Sequence, residues 1–244
     1  PSLAVILVLV ILVSIAALRY DGFLGVYNVQ SVLRYNSMFA LVALGMCFVI
    51  MTGGIDLSVG SVAAMCSVVS ALLSSYGLVQ GVAGGVAAGI LAGLINGVLI
   101  TKLKILPFIA TLATMLAASG TGLLLAGNES VSVSYDTYFT NLGQGDLLSF
   151  MRPEWVDAEG VGFFGTVLGF ILSFPTPAWI AILAYIVGGV VINHTSFGRH
   201  VLAVGGGTEA SRLMGLPVNR TIFLVYVISG ALAGLAGVIL ASQF

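Results

Sequence analysis

The stretch Thr52-Gly53-Gly54-Ile55-Asp56-Leu57-Ser58-Val59-Gly60-Ser61 sets a carboxyl group, several hydroxyls and three glycines between two strongly apolar runs, residues 38–51 and 62–73. Gly53, Gly54 and Gly60 loosen the backbone where a helix would otherwise run on. Asp56 is the only acidic residue between Gly22 and Gly127. An ionisable side chain between apolar runs of this length marks a partnered or functional position inside a membrane. The stretch therefore reads as a broken helix in a membrane-embedded chain.

Composition agrees. Of 244 residues, 59% are hydrophobic and 7% charged, with a mean hydropathy of +1.15, against the roughly 25% charge of a soluble domain. The fold class is all-α and polytopic. Apolar runs suited to crossing about 30 Å of hydrocarbon cover residues 3–18, 38–52, 59–75, 79–100, 105–126, 178–192 and 221–241, about seven spans in one transmembrane domain over residues 1–244. The chain starts at Pro1 and stops on an apolar run at Phe244, so it is expected to be a piece truncated at both ends. Cys47 and Cys66 fall inside spans, where cysteine behaves as a small apolar side chain, and suggest no disulfide or metal framework. A net charge of −1 without a basic patch gives nucleic acid nothing to bind.

Lys102 and Lys104 lie between two spans, and Arg199, Arg212 and Arg220 crowd residues 193–220 with His194 and His200. The positive-inside rule makes both loops cytoplasmic. Residues 127–176 carry Glu129, Asp136, Asp146, Glu154, Asp157 and Glu159 against Arg152 alone, and belong on the opposite, periplasmic side. Counting back places the N-terminus in the cytoplasm. Within the outer segment, residues 161–174 are apolar but too short to cross, which predicts a re-entrant or interfacial element. Gly81, Gly85, Gly89, Gly93 and Gly97 recur every four residues and form a packing seam, within one chain or between two. Gly230 and Gly234 repeat that spacing.

Residues 38–52 cover only about 22 Å as a helix, which puts the break within the membrane. Exposed backbone there is tolerated where it is buried in protein or lines a wet cavity. Asp56 suits an N-cap for a helix from Leu57 onward. Asp56, Ser58 and Ser61 also offer donors and acceptors to a hydroxyl-rich ligand, and the two roles are compatible. Asn96, Thr111, Thr114 and Ser119 read first as interhelical hydrogen-bonding groups. Gly53, Gly54, Asp56, Ser58, Ser61, Asn96 and Thr111 form the candidate substrate-pathway set. On the cytoplasmic side, Thr208 is an expected N-cap, Glu209 suits the first turn, and Gly215 with Pro217 stop a helix of about two turns. Glu209 and Arg212 are spaced i, i+3. The three preceding glycines lack a GxxxxGK[ST] pattern, so no nucleotide site is expected, and the short helix is a handle for a partner or rests on lipid headgroups.

Five motifs in order carry a resemblance: residues 52–61 above; Leu106-Pro107-Phe108-Ile109-Ala110-Thr111-Leu112; Thr195-Ser196-Phe197-Gly198-Arg199; Ala203-Val204-Gly205-Gly206 with Glu209-Ala210-Ser211-Arg212-Leu213-Met214-Gly215; and Ser229-Gly230-Ala231-Leu232-Ala233-Gly234-Leu235-Ala236-Gly237. Together they resemble the integral-membrane permease of bacterial ABC sugar importers of the ribose, xylose and galactofuranose type, which includes autoinducer-2 permeases. The resemblance implies an inner-membrane location and a second permease subunit, as a homo- or heterodimer. It also implies a pair of cytoplasmic ATPase subunits that hold ATP and Mg, none bound by this chain, and a periplasmic sugar-binding protein. It assigns residues 193–220 as a coupling loop, with Arg199, Gly205, Gly206, Glu209, Arg212, Leu213 and Gly215 as its ATPase-coupling residues. The chain departs from the family at Gly207, where Asn is common, and at Ser119, where Arg often stands.

Two other classes fit the sequence less well. An ion-gradient-driven secondary transporter would use Asp56 as its coupling-ion site. An intramembrane enzyme would need HExxH, GxSxG or a metal cluster, and none occurs. The leading expectation is a non-enzymatic importer subunit for a monosaccharide, with nothing in the chain selecting which sugar.

Overall fold

The computed structural model describes residues 2–146 and 163–244, and among them every regular element is a helix. In chain order these are α1 (Ser2–Arg19), α2 (Val26–Met51), α3 (Val59–Ser74), α4 (Leu78–Thr101), α5 (Pro107–Leu125), the single turn α6 (Asn141–Gln144), α7 (Phe163–Leu172), α8 (Thr176–His194), α9 (Ser196–Gly206), α10 (Thr208–Leu213) and α11 (Val218–Gln243). By length and composition α2, α4, α5, α8 and α11 can cross a membrane, with α1 and α3 as shorter apolar helices. The all-α, multi-pass expectation holds, with five full-length spans and two shorter ones.

The boundaries follow local chemistry. Pro107 and Pro177 sit in the first turns of α5 and α8, where a missing N–H costs nothing. The apolar stretch in the outer segment forms α7, ten residues long, too short to cross. Within that segment residues 147–162, including Arg152, Glu154, Asp157 and Glu159, lie outside the described residues.

Helix α11 is the axis of the bundle, packed against α4, α3 and α2. Its buried face includes Val225, Tyr226, Ala233, Ala236, Val238 and Ile239, each 1% exposed or less. The glycine seam of α4 meets it. A Cβ at Gly93 would strike the carbonyl of Tyr226 and one at Gly89 the backbone of Gly230 and Gly234, while a Cβ at Gly230 would lie 2.8 Å from Gly93 Cα. The seam thus joins two helices of one chain by backbone contact, the alternative that spacing alone left open. Side chains on α1, among them Val5, Leu7, Leu9 and Leu12, are more than half exposed.

One span differs from its expected bounds. Helix α2 starts at Val26, not near residue 38, and its 26 residues reach about 39 Å. Several of the polar residues that hide its first three turns have partners. Asn28 Nδ2 donates to Phe23 O at 2.7 Å and Gln30 Nε2 to Ser173 O at 2.9 Å. Asn36 Nδ2 donates to Val32 O at 2.8 Å, and Arg34 pairs with Asp146 at 3.3 Å. Helix length therefore does not force the break into the membrane, as the expected span of about 22 Å would, because α2 is long enough to cross by itself.

Candidate functional site: the helix break and the loop beneath it

Helix α2 unwinds through Thr52, whose Oγ1 donates to Val49 O at 2.8 Å, and through Gly53, which takes φ +75°, a conformation glycine enters without strain. Gly54 passes so close to α11 that a Cβ there would lie 2.8 Å from the Tyr226 hydroxyl. That hydroxyl donates to Ile55 O at 3.2 Å, so an unwound carbonyl is satisfied by a side chain of the central helix. Such a partner is what an interrupted membrane helix requires.

Asp56 is 3% exposed, and both of its oxygens are occupied. Oδ1 accepts from Ser58 N at 3.0 Å and Ser58 Oγ at 2.6 Å, and Oδ2 accepts from Ser229 Oγ at 3.0 Å. The chain continues outward from this carboxyl: Asn96 Nδ2 donates to Ser58 Oγ at 3.0 Å, and Thr114 Oγ1 donates to Asn96 Oδ1 at 2.6 Å. One buried network thus ties the break to α4, α5 and α11. Ser229 lies eleven residues into α11, about 16 Å along its axis, so the junction is inside the bundle.

The capping expectation needs correction. Helix α3 begins at Val59 with Ser58 at the N-cap position and no side-chain cap bond. Asp56 stands two residues earlier and receives Ser58 N, closing a local side-chain turn rather than capping a helix from Leu57.

Of the pathway candidates, Asp56, Ser58 and Asn96 are brought into direct contact, with Gly54 alongside. Thr111 is fully buried but donates to Pro107 O at 2.9 Å within α5, outside the network. Ser61 stands apart on the outer face of α3, where Ser119 Oγ donates to its Oγ at 3.0 Å. Gly53 is exposed, and a side chain there would meet open space. Thr114 makes the interhelical hydrogen bond expected of it, to Asn96 on α4, whereas Ser229 and Tyr226 were missed as site residues. Their signal was weak: isolated polar groups on otherwise apolar helices, with partners far away in sequence.

The basic-end loop is two helices. Thr195 caps α9, its Oγ1 accepting from Gly198 N at 3.1 Å. Val201 and Val204, at 0% and 1% exposure, form its buried face. Val201 shares a hydrophobic cluster with Val49 and Tyr226, the two residues flanking the break. Gly205 lies directly against the carbonyl of Met51, and a Cβ there would overlap it. Gly206 faces open space.

Helix α10 is held to α9 by fully buried Ser211, whose Oγ donates to Ala203 O at 2.8 Å. Thr208 is the first helical residue, with Gly207 in the cap position and no side-chain cap bond, so the expected Thr208 cap is absent. Arg212 Nη1 donates to Glu209 Oε1 at 2.9 Å. Leu213 and Met214 are 89% and 68% exposed, and Gly215 ends the helix at φ +79°. Arg199 is exposed and donates from Nη2 to Ser196 Oγ at 2.9 Å. Among the described residues no group of His, Cys, Asp and Glu could hold a metal ion.

Residues 28–244 match the family model described as branched-chain amino acid transport system / permease component. The chain is similar to the ribose import permease protein RbsC of Bacillus subtilis (strain 168), 38% identical over 237 residues, 96% of this chain and 66% of that protein. It is similar to RbsC of Escherichia coli (strain K12), 33% identical over 236 residues, 96% of this chain and 67% of that protein. It is also similar to the L-arabinose transport system permease protein AraH of E. coli (strain K12), 35% identical over 240 residues, 98% of this chain and 66% of that protein. The chain spans about two thirds of the length of these relatives. No solved structure matches it.

Proposed function

We propose that this chain, which belongs to the family of branched-chain amino acid transport system permease components, is the membrane-spanning subunit of an ATP-driven importer for a monosaccharide. The names of its relatives, ribose and arabinose permeases, support the substrate class. Hydrolysis belongs to separate cytoplasmic ATPase subunits that hold ATP and Mg, and sugar arrives from a periplasmic binding protein. A second permease subunit completes the pathway in the inner membrane, with the basic loops and the N-terminus on the cytoplasmic side.

One observation carries this reading. The α9–α10 unit buries Val201 in the cluster that flanks the break while leaving Leu213, Met214 and the Glu209–Arg212 pair open at the surface. A partner grasping α10 moves α9 through the Ser211–Ala203 bond, and α9 bears on the end of α2 through Gly205 and Met51. Force applied at the surface reaches the break by packed contacts alone. The ion-site alternative has less support, because the Asp56 oxygens already accept three hydrogen bonds from Ser58 and Ser229.

The test is sugar uptake into proteoliposomes holding the full-length chain and its ATPase, with binding protein outside and ATP inside. Uptake that requires ATP and the binding protein and ignores ion gradients is expected. Uptake driven by a proton or sodium gradient without ATP overturns the reading.

A further inference from the structure

Helix α2 ends by its own backbone. Gly53 N donates to Ile50 O at 2.9 Å and Gly54 N to Val49 O at 3.1 Å. With Gly53 at φ +75°, the two bonds form a Schellman motif that satisfies carbonyls at the end of the helix. Helix α3 starts at Val59. Between the two helices the backbone at Ile55 is held from outside, its carbonyl accepting from the Tyr226 hydroxyl of α11 at 3.2 Å. The segment is thus a joint between two separately finished helices, and a side chain of a third helix is fastened to it.

Tyr226 reaches both sides of that joint. On the α2 side, it shares a buried cluster with Val49 and with Val201 of α9. Gly54 sits between hydroxyl and cluster: a Cβ there would lie 2.8 Å from the Tyr226 hydroxyl and 3.1 Å from Val49 Cγ1. Glycine at that position is what lets the hydroxyl approach Ile55. The backbone carbonyl of Tyr226 lies against Gly93 in the glycine seam, which fixes the rotation of α11 and aims the ring. Helix α10 passes into α11 through residues 214–217, and Tyr226 lies eight residues into α11, about 12 Å along its axis. The break is therefore reached from the coupling loop along α11 as well as through α9.

We propose that Tyr226 is a positioning residue for transport, its hydroxyl setting the angle between α2 and α3 in step with α11. Two contacts from α11 hold the joint, and they differ in kind. Ser229 donates to Asp56, whose oxygens accept three hydrogen bonds in all. The Tyr226–Ile55 bond is a single neutral one, of modest net strength. When a partner displaces α10, the joint pivots on Asp56 and gives at Ile55. This inference rests on the importer reading and adds to it the contact by which movement of α11 reaches the break.

Tyr226→Phe tests it, because that change removes the hydroxyl and keeps the ring in its cluster. Thr221→Val is the control, removing a buried hydroxyl of α11 that donates to Pro217 O at 3.1 Å, away from the break. Amide hydrogen exchange is read on the full-length chain in nanodiscs. Exchange at Gly53, Gly54 and Ser58 should quicken about fivefold in Tyr226→Phe, the equivalent of one ordinary hydrogen bond, and stay at the unsubstituted rate in Thr221→Val. Sugar moved per ATP hydrolysed is then measured in proteoliposomes with the ATPase and binding protein, using a panel of tritiated pentoses and hexoses. That ratio should fall about fivefold in Tyr226→Phe, at the low end of ordinary coupling energies, and hold in Thr221→Val. Exchange unchanged at the break, exchange raised evenly along α2 and α11, or an unchanged ratio would each overturn the proposal. Failure of the importer reading looks different. The unsubstituted transporter would then show no ATP-driven uptake, which sinks that reading and the role of Tyr226 with it, whereas an unchanged ratio in a working transporter sinks the role of Tyr226 alone.

Discussion

The break around Asp56 and the loop around α10 both connect apolar helices, yet they spend their polar groups in opposite ways. At the break, the carboxyl and hydroxyl of Asp56 and Ser58 close on amide and hydroxyl groups from α4, α5 and α11, and Asp56, Ser58, Asn96 and Ser229 are each 3% exposed or less. At α10 the charges pair only with each other, and the apolar Leu213 and Met214 face outward. A buried network is costly to leave half-satisfied, whereas an exposed ion pair contributes little to stability. The first region thus holds the bundle together and the second is free to serve a partner. Substitutions that act on stability in one region and on coupling in the other would sharpen that division.

The largest stability effect is expected at Asp56. Asp56→Ala strips the acceptor from Ser58 N, Ser58 Oγ and Ser229 Oγ at once, a loss of about 3 kcal/mol if the orphaned groups stay dry. Asp56→Asn keeps one acceptor for Ser58, and Ser229 can turn its hydroxyl to accept from the new amide, so the cost should fall to about 1 kcal/mol. Thermal unfolding in detergent, compared across the three proteins, checks the ranking. Equal loss in Asn and Ala would mean that the charge itself, and not hydrogen-bond number, holds the junction.

A smaller effect should come from Gly205, the contact that joins the two regions. Gly205→Ala pushes a methyl group into the Met51 carbonyl, which is backbone and cannot swing aside, at a cost of about 1–2 kcal/mol. Its neighbour Gly206 faces open space, so Gly206→Ala should leave the melting temperature unchanged. Because the strain falls on the seat of α9 beneath α2, the Gly205 variant should also lose sugar-stimulated ATPase activity more than its stability loss accounts for. Matching behaviour of the two variants in both assays would remove Gly205 as the point of transmission.

Much of this was legible in the sequence, and what was not has identifiable causes. The glycine period on α4 and the small-residue spacing on α11 were visible, because a repeat of four keeps one helix face. That they meet each other was not, since nothing local records a partner about 140 residues away. The start of α2 was hidden because Asn28, Gln30 and Arg34 look like loop residues until their partners at Phe23, Ser173 and Asp146 are known. Asp56 is conspicuous as a lone acid and Thr114 as an interhelical hydrogen-bonding group, but Ser229, which completes the network from α11, is an ordinary small polar residue on an apolar helix. The Thr208 cap failed because Gly207 takes the cap position, leaving Thr208 already helical.

The smallest stability effect, and the sharpest functional one, belongs to α10. Exchanging its charges by Glu209→Arg together with Arg212→Glu preserves an i, i+3 pair of opposite sign. An exposed pair of this kind is worth about 0–1 kcal/mol in either order, so the fold, the membrane insertion and the Ser211–Ala203 bond should be untouched and the melting temperature constant. The charge pattern offered to a docking surface is nonetheless inverted, and juxtaposing like charges across an interface is costly. ATP hydrolysis by the reconstituted complex should then cease to respond to sugar-loaded binding protein while basal hydrolysis persists. Normal sugar-stimulated ATPase activity in the double variant would show that partner recognition does not pass through Glu209 and Arg212. The exposed Leu213 and Met214 would then be left as the contact, since they are the apolar side chains that α10 and its C-terminal turn leave more than half exposed.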